Sequence, residues 1–101
     1  MEIAQQRIQE WIDNGDESIE IDLINLGLTE LPDLPQSLQK LNCNKNKLTS
    51  LGNLPQSLQS VYCSRNKLTS LGNLPQSLQS LNCDCNEITS LDNLPQSLQI
   101  L

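Results

Sequence analysis

The chain has 101 residues, of which 37% are hydrophobic but only 2% aromatic, and it contains neither Phe nor His. This length suits a single domain, yet so few aromatic side chains would fill a globular core poorly. The net charge of −6 and the pI of about 4.3 argue against binding to nucleic acid or to an anionic membrane surface. Without histidine, the chain lacks the usual general base and the commonest metal ligand.

The charge is distributed unevenly along the chain. Residues 1–33 contain nine acidic residues and one basic residue, for a balance of −8, whereas residues 34–101 contain three acidic and five basic residues, for a balance of +2. No apolar run approaches the ~18 residues that a membrane span needs. The first residues also lack the basic and then apolar pattern of a signal peptide.

The first predicted element is a helix over residues 2–13. Apolar residues fall on one of its faces and polar residues on the other: Ala4, Ile8, Trp11 and Ile12 against Gln5, Gln6, Gln9, Glu10 and Asp13. Asn14-Gly15 supplies the stop signal. We therefore predict an N-terminal cap over residues 1–17, in which Trp11 covers the first repeat.

A 20-residue unit then repeats along the rest of the chain. The full copies span residues 34–53, 54–73 and 74–93, after a degenerate first copy (18–33) and before a partial one (94–101). Each full copy contains one pattern, which in the first full copy reads Leu38-x-x-Leu41-x-Cys43-x-x-Asn46-x-Leu48. This pattern is the leucine-rich-repeat signature at its short end. In the degenerate copy, Ile21, Leu23 and Leu28 take the apolar positions.

The repeat predicts a leucine-rich-repeat solenoid, in which each copy forms one coil, called a rung below. Alternation in Lys40-Leu41-Asn42-Cys43-Asn44 buries residues 41 and 43 and turns the others outward, so short parallel strands would line a concave face. The opposite, convex side carries Leu54-Pro55-Gln56-Ser57 and its equivalents. Because proline disfavours helix at the residue before it, we expect extended, polyproline-like structure there.

Three of the four cysteines, Cys43, Cys63 and Cys83, recur once per repeat at an inward position. Neighbouring strands lie ~4.8 Å apart, whereas the Cβ atoms of a disulfide lie ~3.8 Å apart. We expect these residues to be reduced and to act as small apolar fillers. That expectation favours a reducing, cytoplasmic compartment.

An asparagine follows each strand at Asn46, Asn66 and Asn86. These side chains should turn inward and bond to the backbone of the adjacent coil, because a buried turn must satisfy its N–H and C=O groups. In the first rung Leu26 occupies this position, and we expect the helix to meet the need there.

Variation between copies concentrates at the outward positions, whereas residues 51–60 and 71–80 are identical. We predict that a partner binds this variable face. The candidate residues are Lys40, Asn42, Asn44, Lys45, Ser60, Tyr62, Ser64, Arg65, Ser80, Asn82 and Asp84. Tyr62, the only tyrosine, lies mid-face, and aromatic and arginine side chains are frequent interface anchors. The alternative is that Tyr62 is one tolerated surface residue among many.

Four cations form what we call the basic ridge, namely Lys45, Lys47, Arg65 and Lys67. Such a cluster is either a solvated rim or a site that prefers an acidic segment of a partner protein.

The sequence contains no recognisable catalytic or phosphate-binding motif. Cys83-Asp84-Cys85 resembles a fragment of a metal site, but the two thiols should point in different directions and are too few for tetrahedral zinc. We therefore predict no enzymatic activity, no metal and no cofactor.

The segments 7–15, 26–35 and 46–51 resemble the short-repeat class of secreted bacterial leucine-rich-repeat effectors, in which a helical cap precedes repeats of this length. The resemblance implies protein binding through the concave strands, and host cytosol as the location of a secreted member. In some of these effectors the repeats precede a separate helical ubiquitin-ligase domain. No ligase residue can be carried over to residues 1–101.

Three functional hypotheses remain open at this stage. The first is a non-enzymatic module that binds a protein on its concave face. The second is the substrate-recognition part of a larger effector or ubiquitin ligase. The third is a scaffold that self-associates, because residues 94–101 begin another coil and would leave an open strand edge beside Leu98 and Leu101.

Overall fold

The computed structural model describes residues 2–89, 94–96 and 98. It contains one helix, α1 (Glu2–Asn14), followed by four short strands: β1 (Ile21–Asp22), β2 (Lys40–Asn42), β3 (Ser60–Tyr62) and β4 (Ser80–Asn82). The strands form one parallel sheet in the order β1-β2-β3-β4. Their register follows the repeat, because Leu41 pairs with Val61 and Val61 with Leu81. The predicted solenoid, with its cap and its parallel strands, is thereby confirmed.

Helix α1 covers the open side of the first rung. Ala4, Ile8 and Trp11 are buried against it, and the Trp11 indole donates a hydrogen bond to the Ile19 carbonyl at 2.7 Å. The helix ends at Asn14, and the next residue, Gly15, has a φ of +82°, a conformation that glycine adopts without a Cβ penalty. The predicted stop signal and the predicted role of Trp11 are both confirmed.

One residue of the predicted apolar face lies elsewhere. Ile12 is 50% exposed, so its assignment to the buried stripe was wrong. It follows Trp11 by about 100° around the helix axis, and the indole occupies the contact with the first rung. A helix that packs on a single coil buries only a narrow stripe.

The interior consists of columns of small and aliphatic side chains. In the first rung Ile21, Leu23 and Leu28 are buried, as predicted. The later rungs repeat this arrangement with the fully or almost fully buried residues Leu38, Leu41, Cys43, Leu48, Leu58, Val61, Cys63, Leu68, Leu78 and Leu81. Each rung therefore buries its apolar residues against its neighbours rather than around a common centre.

The asparagine after each strand links neighbouring coils. Asn46 Oδ1 accepts hydrogen bonds from the backbone N–H groups of Leu26 and Leu28, each at 3.0 Å. Its Nδ2 donates to the carbonyls of Leu23 and Cys43 at 2.9 and 3.0 Å. Asn66 and Asn86 repeat the last three of these four contacts one and two rungs further along. The predicted inward asparagine column is confirmed.

The first rung has Leu26 in place of the asparagine. Its buried backbone groups find hydrogen-bond partners other than those we predicted. The Leu23 carbonyl accepts from Asn46 of the next rung, and the described helix residues bond elsewhere: Trp11 to the Ile19 carbonyl and Arg7 to the Asp22 carbonyl. The expectation that the helix meets this need was therefore wrong. Each asparagine reaches back to the coil before it, so the first coil needs none of its own.

The convex side is free of helix over the described residues, as predicted. Each copy also closes a tight turn, in which the Leu58 N–H donates to the Pro55 carbonyl at 3.3 Å. The same turn also bonds to the coil before it, because the Ser57 hydroxyl donates to the Gln36 carbonyl at 2.7 Å and to the Leu38 carbonyl at 2.6 Å. Ser77 makes the same contacts one rung later. The repeated serine is thus structural, a role that the sequence reading did not assign.

All four cysteines are free thiols. Cys43 and Cys63 are fully buried, Cys83 is half-buried and Cys85 is exposed. Burial raises the pKa of the Cys43 thiol to about 12, and it raises the pKa of Cys63 further, with smaller contributions from Cys43 and Cys83. The cysteine column therefore holds protonated thiols that serve as packing groups.

The last predicted coil lies largely outside the described residues. Leu98 is half-buried, and its N–H donates to the Pro95 carbonyl at 3.2 Å. Residues 90–93, 97 and 99–101 are not among those described, so the open strand edge predicted beside Leu101 stays a prediction.

Replacing Asn66 should destabilise the whole solenoid. The change Asn66→Ala leaves the buried Leu48 N–H without its side-chain partner. It also removes one of the two asparagine donors of the Cys43 and Cys63 carbonyls, which keep their bonds to Asn46 and Asn86. Because an unsatisfied buried group costs about 1–3 kcal/mol, we expect the free energy of unfolding in urea to fall by about that amount. Asn53→Ala, at an exposed convex position, is the matched control and should change it by less than about 0.5 kcal/mol. Equal effects of the two variants would contradict the structural role of the asparagine column.

Alkaline pH should weaken the fold through the buried thiols. The pKa of Cys43 is raised in the folded state from 9.0 to about 12. Just above pH 9 the Cys43 thiol therefore ionises in the unfolded chain but stays protonated in the folded one. The contribution of each buried thiol to the free energy of unfolding is complete below pH 9 and is lost as the pH rises toward 12, by up to about 1.4 kcal/mol per pH unit and per thiol. Urea midpoints at pH 7, 9 and 10.5 check this expectation. A Cys43→Ala/Cys63→Ala variant should have a smaller slope with pH, and an unchanged slope would contradict it.

Candidate functional site

The outward residues of the strands lie side by side across the sheet. In register along one column are Asp22, Asn42, Tyr62 and Asn82. Tyr62 therefore lies between two asparagines, as the repeat alignment predicts. It is half-buried by its neighbours, and its hydroxyl has no hydrogen bond to any described residue.

The predicted binding residues occupy one continuous face. Lys40, Lys45, Arg65 and Asp84 are exposed. The remaining seven are half-buried by their neighbours in the sheet: Asn42, Asn44, Ser60, Tyr62, Ser64, Ser80 and Asn82. The structure thus brings all eleven together, and whether they bind a partner stays a prediction.

Some of these polar side chains also hold the face in shape. Asn44 Oδ1 accepts from the Ser64 N–H of the next rung at 2.7 Å. Asn42 Oδ1 accepts from the Asn44 N–H, and Asn82 Oδ1 from the Asp84 N–H, both at 3.2 Å. These oxygens are already engaged, so the asparagines present mainly their N–H groups to a ligand. The sequence reading missed this local role, although asparagine two residues before a turn is a known signal for it.

The residue three positions after the end of each strand has a left-handed backbone. Asn25, Lys45, Arg65 and Cys85 have φ values of +56°, +59°, +57° and +57°. For a residue with a Cβ atom this conformation costs about 1–2 kcal/mol, and it is held by bonds between rungs. The Lys45 N–H donates to the Ser64 carbonyl and the Arg65 N–H to the Asp84 carbonyl, each at 2.9 Å. Only Asn25, a residue type common in this conformation, could have revealed the column from the sequence.

The basic ridge lies just past the strands, on the second and third rungs. Lys45, Lys47, Arg65 and Lys67 are all exposed. Among residues 2–89, 94–96 and 98, the one ion pair is Arg7–Asp22 at 3.6 Å, at the cap. The ridge cations therefore have no acidic partner within this part of the chain.

The cysteines at the end of the fourth rung do not converge. Cys83 is half-buried on the inward column, whereas Cys85 is exposed. The described residues contain no cluster of three or more side chains that could hold a metal ion. Two recesses of about 410 and 390 Å³ lie around Glu30–Asp33, away from the ridge and without a cysteine or a basic residue. None of the eleven candidate residues lines either of these two recesses.

A family model described as leucine-rich repeats in two copies matches residues 56–96. The repeat domain of a Shigella effector is 34% identical with a TM-score of 0.76, over 99% of this chain and 54% of that one. YopM from Yersinia enterocolitica is 33% identical with a TM-score of 0.76, over 99% of this chain and 27% of its own. YopM from Yersinia pestis, a leucine-rich effector protein, is 33% identical with a TM-score of 0.81, over 98% of this chain and 34% of that one.

This chain therefore spans between 27% and 54% of the length of these relatives. No curated protein sequence matches it. None of its described helices is long and apolar enough to cross a membrane. The repeated signature, the parallel sheet and the similarity to effector repeat domains agree, and the chain is a leucine-rich-repeat protein of the bacterial type.

Proposed function

We propose that this chain is a non-catalytic module that binds a partner protein on its concave face. Leucine-rich-repeat domains of this kind generally act in protein–protein interaction. The observation that carries the proposal is the contrast between the two sides of each rung. The buried columns and the serine link recur from rung to rung, whereas the outward positions around Tyr62 vary, most of all in the column of Asn44, Ser64 and Asp84.

Tyr62 and Arg65 are the anchors of this site. The Tyr62 ring is held between its strand neighbours while its hydroxyl is free of described partners. The Arg65 side chain is exposed on a backbone that its bond to Asp84 fixes. A rigid aromatic group beside a guanidinium combines contact area with directed hydrogen-bond donors at a small loss of conformational freedom.

The partner carries an acidic segment that meets the basic ridge. Four exposed cations without an ion pair in the described part of the chain attract carboxylates, and attraction between open surfaces acts mainly on the rate and specificity of association. We further propose a reducing, cytoplasmic location, which for a secreted effector is the host cytosol. The free thiols of Cys43, Cys63, Cys83 and Cys85 support it.

A role as the recognition part of a larger effector is compatible with this proposal. The relatives are effectors whose chains are longer than this one. Substrate recruitment would use the same face, so the experiments below apply to both hypotheses.

The paired variant Tyr62→Ala/Arg65→Glu should lose the partner. Its interior contacts are unchanged, so we expect the fold to survive, as circular dichroism would show. Capture from bacterial and mammalian lysates, followed by quantitative mass spectrometry, measures partner loss. The matched control is the convex variant Asn53→Ala/Gln56→Ala, at exposed positions. Proteins captured by the wild-type chain should disappear with the first variant and stay with the second. Equal loss with both, or with neither, would reject the concave site.

Neutralising the ridge should weaken binding of a captured partner in a salt-dependent way. With Lys45→Gln/Lys67→Gln we expect an affinity about threefold to tenfold lower at low salt, because each exposed ion pair contributes modestly, and a smaller difference at 0.5 M salt. Asn53→Glu/Gln56→Glu changes the net charge equally on the convex side and should have little effect. Titration calorimetry measures both. Equal weakening would mean that overall charge, not the ridge, decides affinity.

A further inference from the structure

We propose that Asp84 and Glu87 select which acidic segments the basic ridge accepts. This inference rests on the proposed function, because it concerns the same face. The ridge occupies the second and third rungs, while acidic side chains stand on the rungs to either side: Glu20 and Asp22 on the first, Asp84 and Glu87 on the fourth. Along the solenoid axis the face is therefore acidic, then basic, then acidic.

Backbone hydrogen bonds fix the positions of the fourth-rung carboxylates relative to the ridge. The Arg65 N–H donates to the Asp84 carbonyl at 2.9 Å. The Lys67 N–H donates to the Leu48 carbonyl and the Glu87 N–H to the Leu68 carbonyl, each at 2.9 Å. Glu87 thus repeats the position of Lys67 one rung further along, with the opposite charge.

These carboxylates are available to a ligand. Asp84 and Glu87 are exposed, and neither forms an ion pair with any described residue, although basic residues stand on the adjoining rung. On the first rung the situation differs, because Arg7 lies 3.6 Å from the Asp22 carboxylate and offsets its charge. Glu20 remains without an ion pair to a described residue, but it is half-buried, whereas both fourth-rung carboxylates are exposed, so selection depends mainly on the fourth rung.

The spacing of the rungs limits the acidic segment. Adjacent strands lie ~4.8 Å apart, so the two ridge rungs are one such step apart and the two acidic rungs are ~14 Å apart. An extended peptide advances ~3.3 Å per residue and turns only every second side chain to one face. A segment of about seven residues therefore presents four side chains to the four rungs, and its long charged side chains can adjust to the shorter spacing of the rungs. Two acidic residues two positions apart therefore face the ridge together, and a basic residue two positions beyond each of them faces the acidic rungs. A longer, uniformly acidic segment would place like charges together, which disfavours it.

Two peptides of identical composition test this inference. Both are about seven residues long, are capped at their ends and carry a fluorophore. One has terminal lysines and two inner glutamates, with one serine between each pair of neighbouring charges so that all four charges lie on one face of the extended peptide, and the other exchanges the glutamates and lysines. Both have a net charge of zero, so a difference in affinity reports the order of the charges. Fluorescence anisotropy at low salt measures binding to the full chain. The variants are Asp84→Asn/Glu87→Gln and the matched control Glu17→Gln/Glu30→Gln, which removes two exposed carboxylates outside the face.

We expect the wild-type chain and the control to bind the peptide with central glutamates about threefold to tenfold more tightly than its exchanged form. In Asp84→Asn/Glu87→Gln this preference should shrink toward one. A preference that survives this variant, or that the control loses equally, overturns the inference. If both peptides bind equally to the wild-type chain, and Lys45→Gln/Lys67→Gln weakens both, the selection is wrong while the ridge still binds acidic groups. Absence of binding by either peptide would reject the acidic partner as well.

Discussion

One asparagine side chain per coil satisfies backbone groups of two coils at once, and the rest of the solenoid depends on this interaction. Asn46 and Asn66 bond N–H groups of the coil before them and carbonyls of both coils. A buried turn without such partners would lose about 1–3 kcal/mol for each unsatisfied group. Because the carboxamide offers two donors and an acceptor, one side chain can replace the hydrogen bonds that a helix or a wide sheet would otherwise supply.

Because these asparagines bond the buried backbone groups, a few small and aliphatic residue types can fill the rest of the interior. Leu41, Val61 and Leu81 form one column between the coils, and the free thiols form another. None of these side chains needs a hydrogen-bond partner. Raised thiol pKa values follow from the same dry surroundings. The convex serine adds a second bond between coils at each turn. With stability supplied by these constant positions, the outward positions are free to vary.

The concave face is shaped by the same scaffold. The left-handed backbone at Lys45 and Arg65 is maintained by bonds to the next rung, which fixes where these two cations leave the surface. Their charges are left without acidic partners among the described residues. The two recesses of about 410 and 390 Å³ lie away from these cations, around Glu30–Asp33.

The sequence by itself determined the repeat, the strand register, the buried columns and the inward asparagines, because a 20-residue period repeats the same local chemistry in every copy. It also located the variable face around Tyr62. Only the tertiary structure decided what depends on contacts between different coils. Ile12 is exposed because Trp11 occupies the contact with the first rung, and Leu26 needs no helix because Asn46 reaches back. The left-handed column at Lys45 and Arg65 escaped the sequence because neither residue type signals it, and the bonds that hold it come from the neighbouring rung.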